Sequence, residues 1–281
     1  MDKLLQITRT EIDLNLKKEY KFFQISDAHI AYIDEKSSQV DIDDNLRSHG
    51  QWNSLKIDFA NQFGEHYDER YNMEAHLLLE HLMERALEFK ADALIMSGDI
   101  MDRVTESNIR YLKDKISAYR AKVVYCPGNH AHHDENGVHR NMYSRFEGLI
   151  ENPEFDVFDF GELEIVTIDN GTKQITDNQI KRFKQELEKN KKILLVLHAP
   201  VKLGEFGEIM GAKIGNYFLL SEDDGENARE LLRLIKENDE RLIAVLAGHI
   251  HGSVEYHITD KLMQYTTSSA LIGKGREIII K

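Results

Sequence analysis

KFFQISDAHI, residues 21–30, joins an apolar run to a polar cluster with metal-ligand chemistry, Asp27-Ala28-His29. The same grammar returns four times along the chain. ALIMS (93–97) leads into Gly98-Asp99, VVYCP (123–127) into Gly128-Asn129-His130, ILLVL (193–197) into His198, and LIAVLA (242–247) into Gly248-His249-Ile250-His251. Each run is short, hydrophobic and bounded by polar residues or glycine, which is the pattern of a buried β-strand. In α/β sheets, ligands bind outside the carboxyl ends of the strands. Five separate strands therefore deliver Asp, His and Asn side chains to one edge.

The residue types fit one kind of chemistry. Carboxylate oxygens and imidazole nitrogens suit Mn, Fe, Co and Zn ions, and a carboxylate can bridge a pair of them. The glycines before Asp99, Asn129 and His249 allow a sharp turn at the strand end. In Asp27-Ala28-His29 and His249-Ile250-His251, positions i and i+2 share one side if the backbone is extended. Taken singly, each motif is weak: Asp-x-His occurs in surface turns, Gly-Asp caps helices, and a lone histidine is often a satisfied core residue. The information lies in the ordered set, in which each cluster follows its own apolar run.

Further strands are expected at 11–16, Tyr20–Ile25, 155–158 and Leu163–Ile168. Amphipathic helices are expected near 72–89, where Leu78, Leu79, Leu82 and Ala86 share a face, and near 106–119 behind the N-cap Thr105. Another opens with Thr176 and Gln179 in capping-box spacing, and a fourth carries Leu231, Leu232 and Ile235. HGSVEYHITDKLMQYTTSSALIGKGREIIIK (251–281) has β-prone runs and no convincing helix. Alternating strands and helices with a strand-rich end predict an α/β sandwich of mixed sheets. With only three prolines in 281 residues and no Gly/Ser-rich linker, one continuous domain over 1–281 is the simplest division.

Composition narrows the function. A net charge of -13 and the lack of any basic stripe argue against a long nucleic acid as ligand. The most basic stretch, KRFKQELEKNKK (181–192), is interrupted by acidic residues at helical spacing and reads as a solvated face. No run of 18 apolar residues is present to span a membrane, and the first residues lack the pattern of a cleaved signal. The single Cys126, within an apolar run, fits a reducing, cytoplasmic setting.

Asp-x-His, Gly-Asp-x-x-Asp, Gly-Asn-His, His and Gly-His-x-His, in this order over residues 27–251, together resemble the calcineurin-like metallophosphoesterases. The resemblance implies a four-layer α/β/β/α sandwich of two mixed β-sheets flanked by helices, with two divalent metal ions (Mn, Fe or Zn) between strand ends. It implies that Asp27, His29 and His251 hold one ion, that Asn129, His198 and His249 hold the other, and that Asp99 bridges them. His130 would act as the acid on the leaving oxygen. Asp102, three residues after Asp99, would orient His130, although an ordinary helix-start carboxylate explains it nearly as well. The activity implied is phosphodiesterase or phosphatase hydrolysis of a small phosphate ester, with nucleotides and cyclic nucleotides among the candidate substrates, by a metal-activated water. A nuclease of the DNA-repair exonuclease branch and a non-catalytic scaffold of the same fold are the alternatives.

Departures from the family pattern matter. Val104 and Ala131 replace a glycine and a glutamate typical of protein phosphatases, which argues against that branch. His132, His133 and Asp134 either line the pocket or form a polar loop near the surface, and the loop is the expectation. Two segments, 31–71 and 201–221, stand outside the strand and helix pattern. The second carries Phe206, Met210, Tyr217 and Phe218, and could form either a pocket wall or a partly helical connector on the core.

Overall fold

The computed structural model of the chain describes residues 5–64, 73–132 and 143–281. Its strands are β1 (Gln6–Ile12), β2 (Tyr20–Ile25), β3 (Ala93–Ser97), β4 (Lys122–Cys126), β5 (Phe155–Asp159), β6 (Leu163–Ile168), β7 (Lys192–Val196), β8 (Leu242–Ala247), β9 (Val254–His257), β10 (Met263–Thr266) and β11 (Lys274–Ile280). They form one sheet in the order β1-β11-β2-β3-β4 and a second in the order β5-β6-β7-β8-β10-β9. Both sheets are mixed. β2, β3 and β4 run parallel, as do β6, β7, β8 and β10, while β11/β2, β5/β6 and β9/β10 pair antiparallel.

Side-chain alternation explains why these strands are apolar on both faces. Phe22, Ile95 and Val124 point from the first sheet into a layer shared with Ile165, Leu194, Val196 and Leu246 of the second. Their neighbours Phe23, Ile25, Leu94 and Met96 face outward, against helix α2 (Ala75–Glu88) and helix α3 (Glu106–Ala118). On the far side Ile193, Leu195 and Val245 pack with helices α4 (Asp177–Glu188), α5 (Gly204–Ile214) and α6 (Glu226–Glu237). The four layers α/β/β/α are thereby complete.

The caps follow the sequence. Thr105 accepts the N–H of Asn108, and Thr176 and Gln179 form a reciprocal capping box. Several expectations need correction. The strand expected at 11–16 starts and ends earlier, at Gln6–Ile12, because its partner β11 runs parallel in register from Gln6↔Lys274 to Ile12↔Ile280. Segment 31–71 contains helix α1 (Gln39–Gln62), and its residues 65–71 lie outside the described residues. Among the described side chains of α1 the buried ones are Asp41, Asn45, Ser48, Trp52 and Lys56, a helical spacing carried mainly by polar groups. Asn45 fastens it, donating to the Tyr32 carbonyl at 2.7 Å and the Ser107 hydroxyl at 3.1 Å while accepting from Asn108. Segment 201–221 divides: α5 buries Phe206 and Met210 in the core, whereas Tyr217 and Phe218 stay at the surface.

Candidate metal centre

The strand ends converge. Ligand atoms of Asp27, His29 and His251 lie within 4.8 Å of one another, and so do those of Asp99, His198 and His249. His29 Nε2 and His251 Nε2 face each other at 3.2 Å, and His251 Nε2 is 3.5 Å from Asp27 Oδ1. In the second group His198 Nε2 is 3.0 Å from Asp99 Oδ2 and 3.0 Å from Asn129 Oδ1. Two nitrogens bound to one cation at about 2.0–2.1 Å would sit roughly 3–3.4 Å apart. The His29–His251 spacing fits that geometry, and the donor set of nitrogens and carboxylate oxygens fits a divalent metal.

The local backbone is not the extended one that the i, i+2 argument assumed. Asp27 and His29 have φ of 53° and 44°, Asp99 50°, and His249 and His251 68° and 54°. Five non-glycine residues are thus held in the left-handed region at one edge, a conformation that costs energy and clusters at functional sites. Hydrogen bonds enforce it: Asp27 N–H donates to the Gly98 carbonyl, His29 N–H to the Asp99 carbonyl, and His249 N–H to Asp27 Oδ2 at 2.9 Å. The preceding glycines serve two purposes. Gly98 has φ +97° and a Cβ there would meet His198 Nδ1 at 2.0 Å. Gly128 needs no positive φ, but its missing Cβ makes room for the Asp99 carboxylate, which would otherwise lie 2.2 Å away.

A shell of hydrogen bonds orients the ligand atoms. His198 Nδ1 lies 2.9 Å from the Ser97 carbonyl, and Asn170 Oδ1 accepts the N–H groups of His198 and Ala199. Asp99 Oδ1 accepts the N–H of His130 at 2.9 Å. Asp102 is no mere helix-start carboxylate: it is 2% exposed, and its Oδ1 lies 2.9 Å from His130 Nδ1 and 3.2 Å from His29 Nδ1. His132 corrects the surface-loop expectation. It is fully buried with Nε2 2.8 Å from Asp169 Oδ2. His133 and Asp134 lie outside the described residues.

The charge balance follows from burial and pairing. Burial pushes the Asp27 carboxyl up, but the His251 charge and hydrogen bond outweigh it and bring it down to about 2. Asp99 is likewise held well below the usual range, with His198 and His130 outweighing burial. Burial lowers the His198 imidazole, yet Asp99 raises it to about 9. His249 goes the other way, to about 3, through burial and the neighbouring His198 charge. At pH 7 the metal-free centre therefore holds a proton on His198, and a cation bound there must displace it. Metal affinity is expected to rise with pH, by about tenfold per unit for one displaced proton, between roughly pH 6 and 8. Calorimetry in buffers of different ionisation enthalpy would read the released proton. Uptake independent of pH over that range would contradict the assignment.

All nine residues singled out in the sequence thus meet at one place. Sequence reasoning missed Trp52, which reaches the centre from α1, and the loop residues Thr172, Lys173 and Gln174. These line the same cavity of about 610 Å³ together with Tyr217, Phe218 and Asp224. A lone tryptophan in a polar stretch was the only available signal for the first.

Comparison with known proteins agrees with this architecture. A Coxiella burnetii protein named a probable cyclic nucleotide phosphodiesterase is 27% identical over 64% of this chain and 67% of its own length. An Arcobacter nitrofigilis protein named a probable glycerophosphodiester phosphodiesterase is 24% identical over 64% of this chain and 63% of its own. A dimetal phosphatase from Danio rerio shares the fold, with a TM-score of 0.57 over 90% of this chain and 88% of the other at 12% identity. Among the described residues no helix is long and apolar enough to cross a membrane. The family model for calcineurin-like phosphoesterases matches residues 20–253, most of the chain. The chain belongs to the calcineurin-like phosphoesterase family and is a hydrolase of phosphate esters.

Proposed function

We propose that the protein hydrolyses small phosphodiesters at a two-cation centre, and that a nucleotide substrate is favoured by stacking its base beside that centre. The observation that carries this reading is a cavity lined by His29 and His251 of the first group, Asp99 and His249 of the second, His130, and the exposed aromatic pair Tyr217 and Phe218. Asp27, His29 and His251 would hold one divalent cation, Asn129, His198 and His249 the other, with Asp99 between them. Bound there, the two cations would neutralise phosphate oxygens and make water a better nucleophile near neutral pH.

The chain's own residues would do the rest. His130, 18% exposed in its side chain, faces the cavity and would give a proton to the departing alcohol oxygen. Asp102 holds the opposite ring nitrogen, which keeps Nε2 directed outward. The cavity volume falls within the range of about 300–1,000 Å³ usual for small ligands. Tyr217 is 74% exposed and packs edge-on to Phe218, whose ring lies 5.7 Å from that of His249. Exposed rings beside a reacting centre offer a stacking surface for a base. Lys173 Nζ, 5.4 Å from the Tyr217 ring centre and 3.8 Å from Asp224 Oδ1, is the one Lys or Arg among the described lining residues and would serve an anionic ligand by exchanging Asp224 for it. A long nucleic acid is disfavoured by the net charge of -13.

A substrate panel with defined Mn²⁺ tests this. Cyclic nucleotides and a glycerophosphodiester are expected to be hydrolysed, and oligonucleotides not. Base stacking on an aromatic ring contributes about 1–3 kcal/mol. Tyr217→Ala combined with Phe218→Ala should therefore raise KM for the nucleotide roughly five- to hundredfold, while the ring-free diester changes little. Equal effects on both substrates would remove the nucleotide reading, and cleavage of oligonucleotides would favour the nuclease.

A further inference from the structure

Asp102 serves more donors than the family pattern requires. Its Oδ1 lies 2.5 Å from Trp52 Nε1, 2.9 Å from His130 Nδ1 and 3.2 Å from His29 Nδ1. Its other oxygen has Arg103 Nε at 4.0 Å. Three donors converge on an oxygen with two lone pairs, so the carboxylate angle decides how each histidine is held. Of the three, only the indole N–H has a fixed role, because tryptophan donates and never accepts, while each histidine changes with its tautomer.

The indole also sets ring planes. It stacks on His29 with centroids 3.9 Å apart and planes 27° apart, and lies 5.4 Å from His251 at 29°. Trp52 is only 7% exposed although it lines the cavity. Its helix is fixed on both sides of it. Asn45, two turns earlier on the same face, is locked to Tyr32, Ser107 and Asn108. Beyond the C-terminal end, Phe63 packs so closely on Gly252, next to His251, that a Cβ at Gly252 would come within 2.4 Å of its ring.

We infer that Trp52 is a positioning residue of the catalytic centre: through its indole N–H it aims the Asp102 carboxylate at His29 and His130, and through its ring it fixes the plane of His29. The inference rests on the reading of that centre given above. Helix α1 then belongs to the active site and is not an ornament of the fold. A carboxylate that orients a ligand histidine typically changes metal affinity or activity by about 10–100-fold when disturbed, and the indole acts one step behind it.

Trp52 is the chain's single tryptophan, so its emission reports this contact without labelling. Mn²⁺ added to the metal-free protein is expected to quench that emission in step with the bound metal measured by elemental analysis. Trp52→Phe keeps a stacking ring and loses the N–H. It should lose about 10–100-fold in kcat at saturating Mn²⁺, with KM within about twofold, and Trp52→Leu should lose more. In the metal-free protein, Asp102→Asn should shift the single indole N–H resonance. Wild-type kcat in Trp52→Phe, or emission that stays constant while Mn²⁺ binds, would overturn the inference. If no Mn²⁺ binds at all, the metal reading fails, and the indole resonance then decides the Trp52–Asp102 contact on its own: no shift in Asp102→Asn overturns it.

Discussion

Asp99→Asn is expected to lower kcat by on the order of 10³-fold, the scale of a lost electrostatic contact to the reacting group, and to leave the protein short of its full complement of metal. The substitution keeps the size of the side chain and removes its charge. Asp99 is 3% exposed and wedged between strand ends, with Oδ2 3.0 Å from His198 Nε2 and Oδ1 accepting the His130 N–H. An amide cannot accept at both ends, so one of its ends turns an NH₂ toward a donor. It also removes the charge that keeps the buried His198 proton in place and that would lie between two cations. Chelation of the wild type should cause a loss of similar size that added Mn²⁺ restores, whereas Mn²⁺ should not restore the variant. Elemental analysis beside steady-state kinetics checks both. Full turnover with full metal content in Asp99→Asn would remove the shared-carboxylate arrangement.

His130→Ala should cost about 10²–10⁴-fold, the usual contribution of a positioned acid or base, and the loss should depend on the leaving group. Burial lowers the His130 imidazole, but the charges of Asp99 and Asp102 and the bond to Asp102 outweigh it, so the ring is raised above its ordinary value. The shift is toward the protonated ring, the form that an acid for a departing alkoxide needs. A nitrophenolate leaves without such help. The variant is expected to retain much more activity on bis-p-nitrophenyl phosphate than on an alkyl diester. Asp102→Asn should follow the same pattern to a smaller extent, because the ring remains but its orientation is loosened. Equal losses on both diesters would make His130 a binding group and not an acid, and unchanged turnover would eliminate the role.

How much of this could be read along the chain depends on the kind of interaction. The five apolar runs are legible because strands buried on both faces need uninterrupted hydrophobic residues, and their ends are legible because the polar clusters begin at once. The capping residues Thr105 and Thr176 are equally local, since each bonds a backbone N–H three positions on. Helix α1 was hidden because, among its described side chains, those turned inward are mostly polar. Asn45, Ser48 and Lys56 face in, while Val40 and Leu46 are 70% and 58% exposed, the reverse of the pattern that periodicity detects. Its partners Tyr32, Ser107 and Asn108 are hydrogen-bonding groups elsewhere in the chain, and no spacing rule connects them.

The sequence by itself determined the layered α/β architecture and the identity and order of the acidic, amide and imidazole groups at the strand ends, because hydrophobic alternation and strand-end chemistry are encoded within a few consecutive residues. Only the tertiary structure decided that Asp27, His29, Asp99, His249 and His251 adopt left-handed backbones, that His132 is buried against Asp169, and that Asp102 answers to Trp52 as well as to two histidines. Those features arise between segments as much as 222 positions apart. Their physical cause is the satisfaction of buried polar groups across packed elements, which depends on where the chain has already been brought and not on the residues beside it.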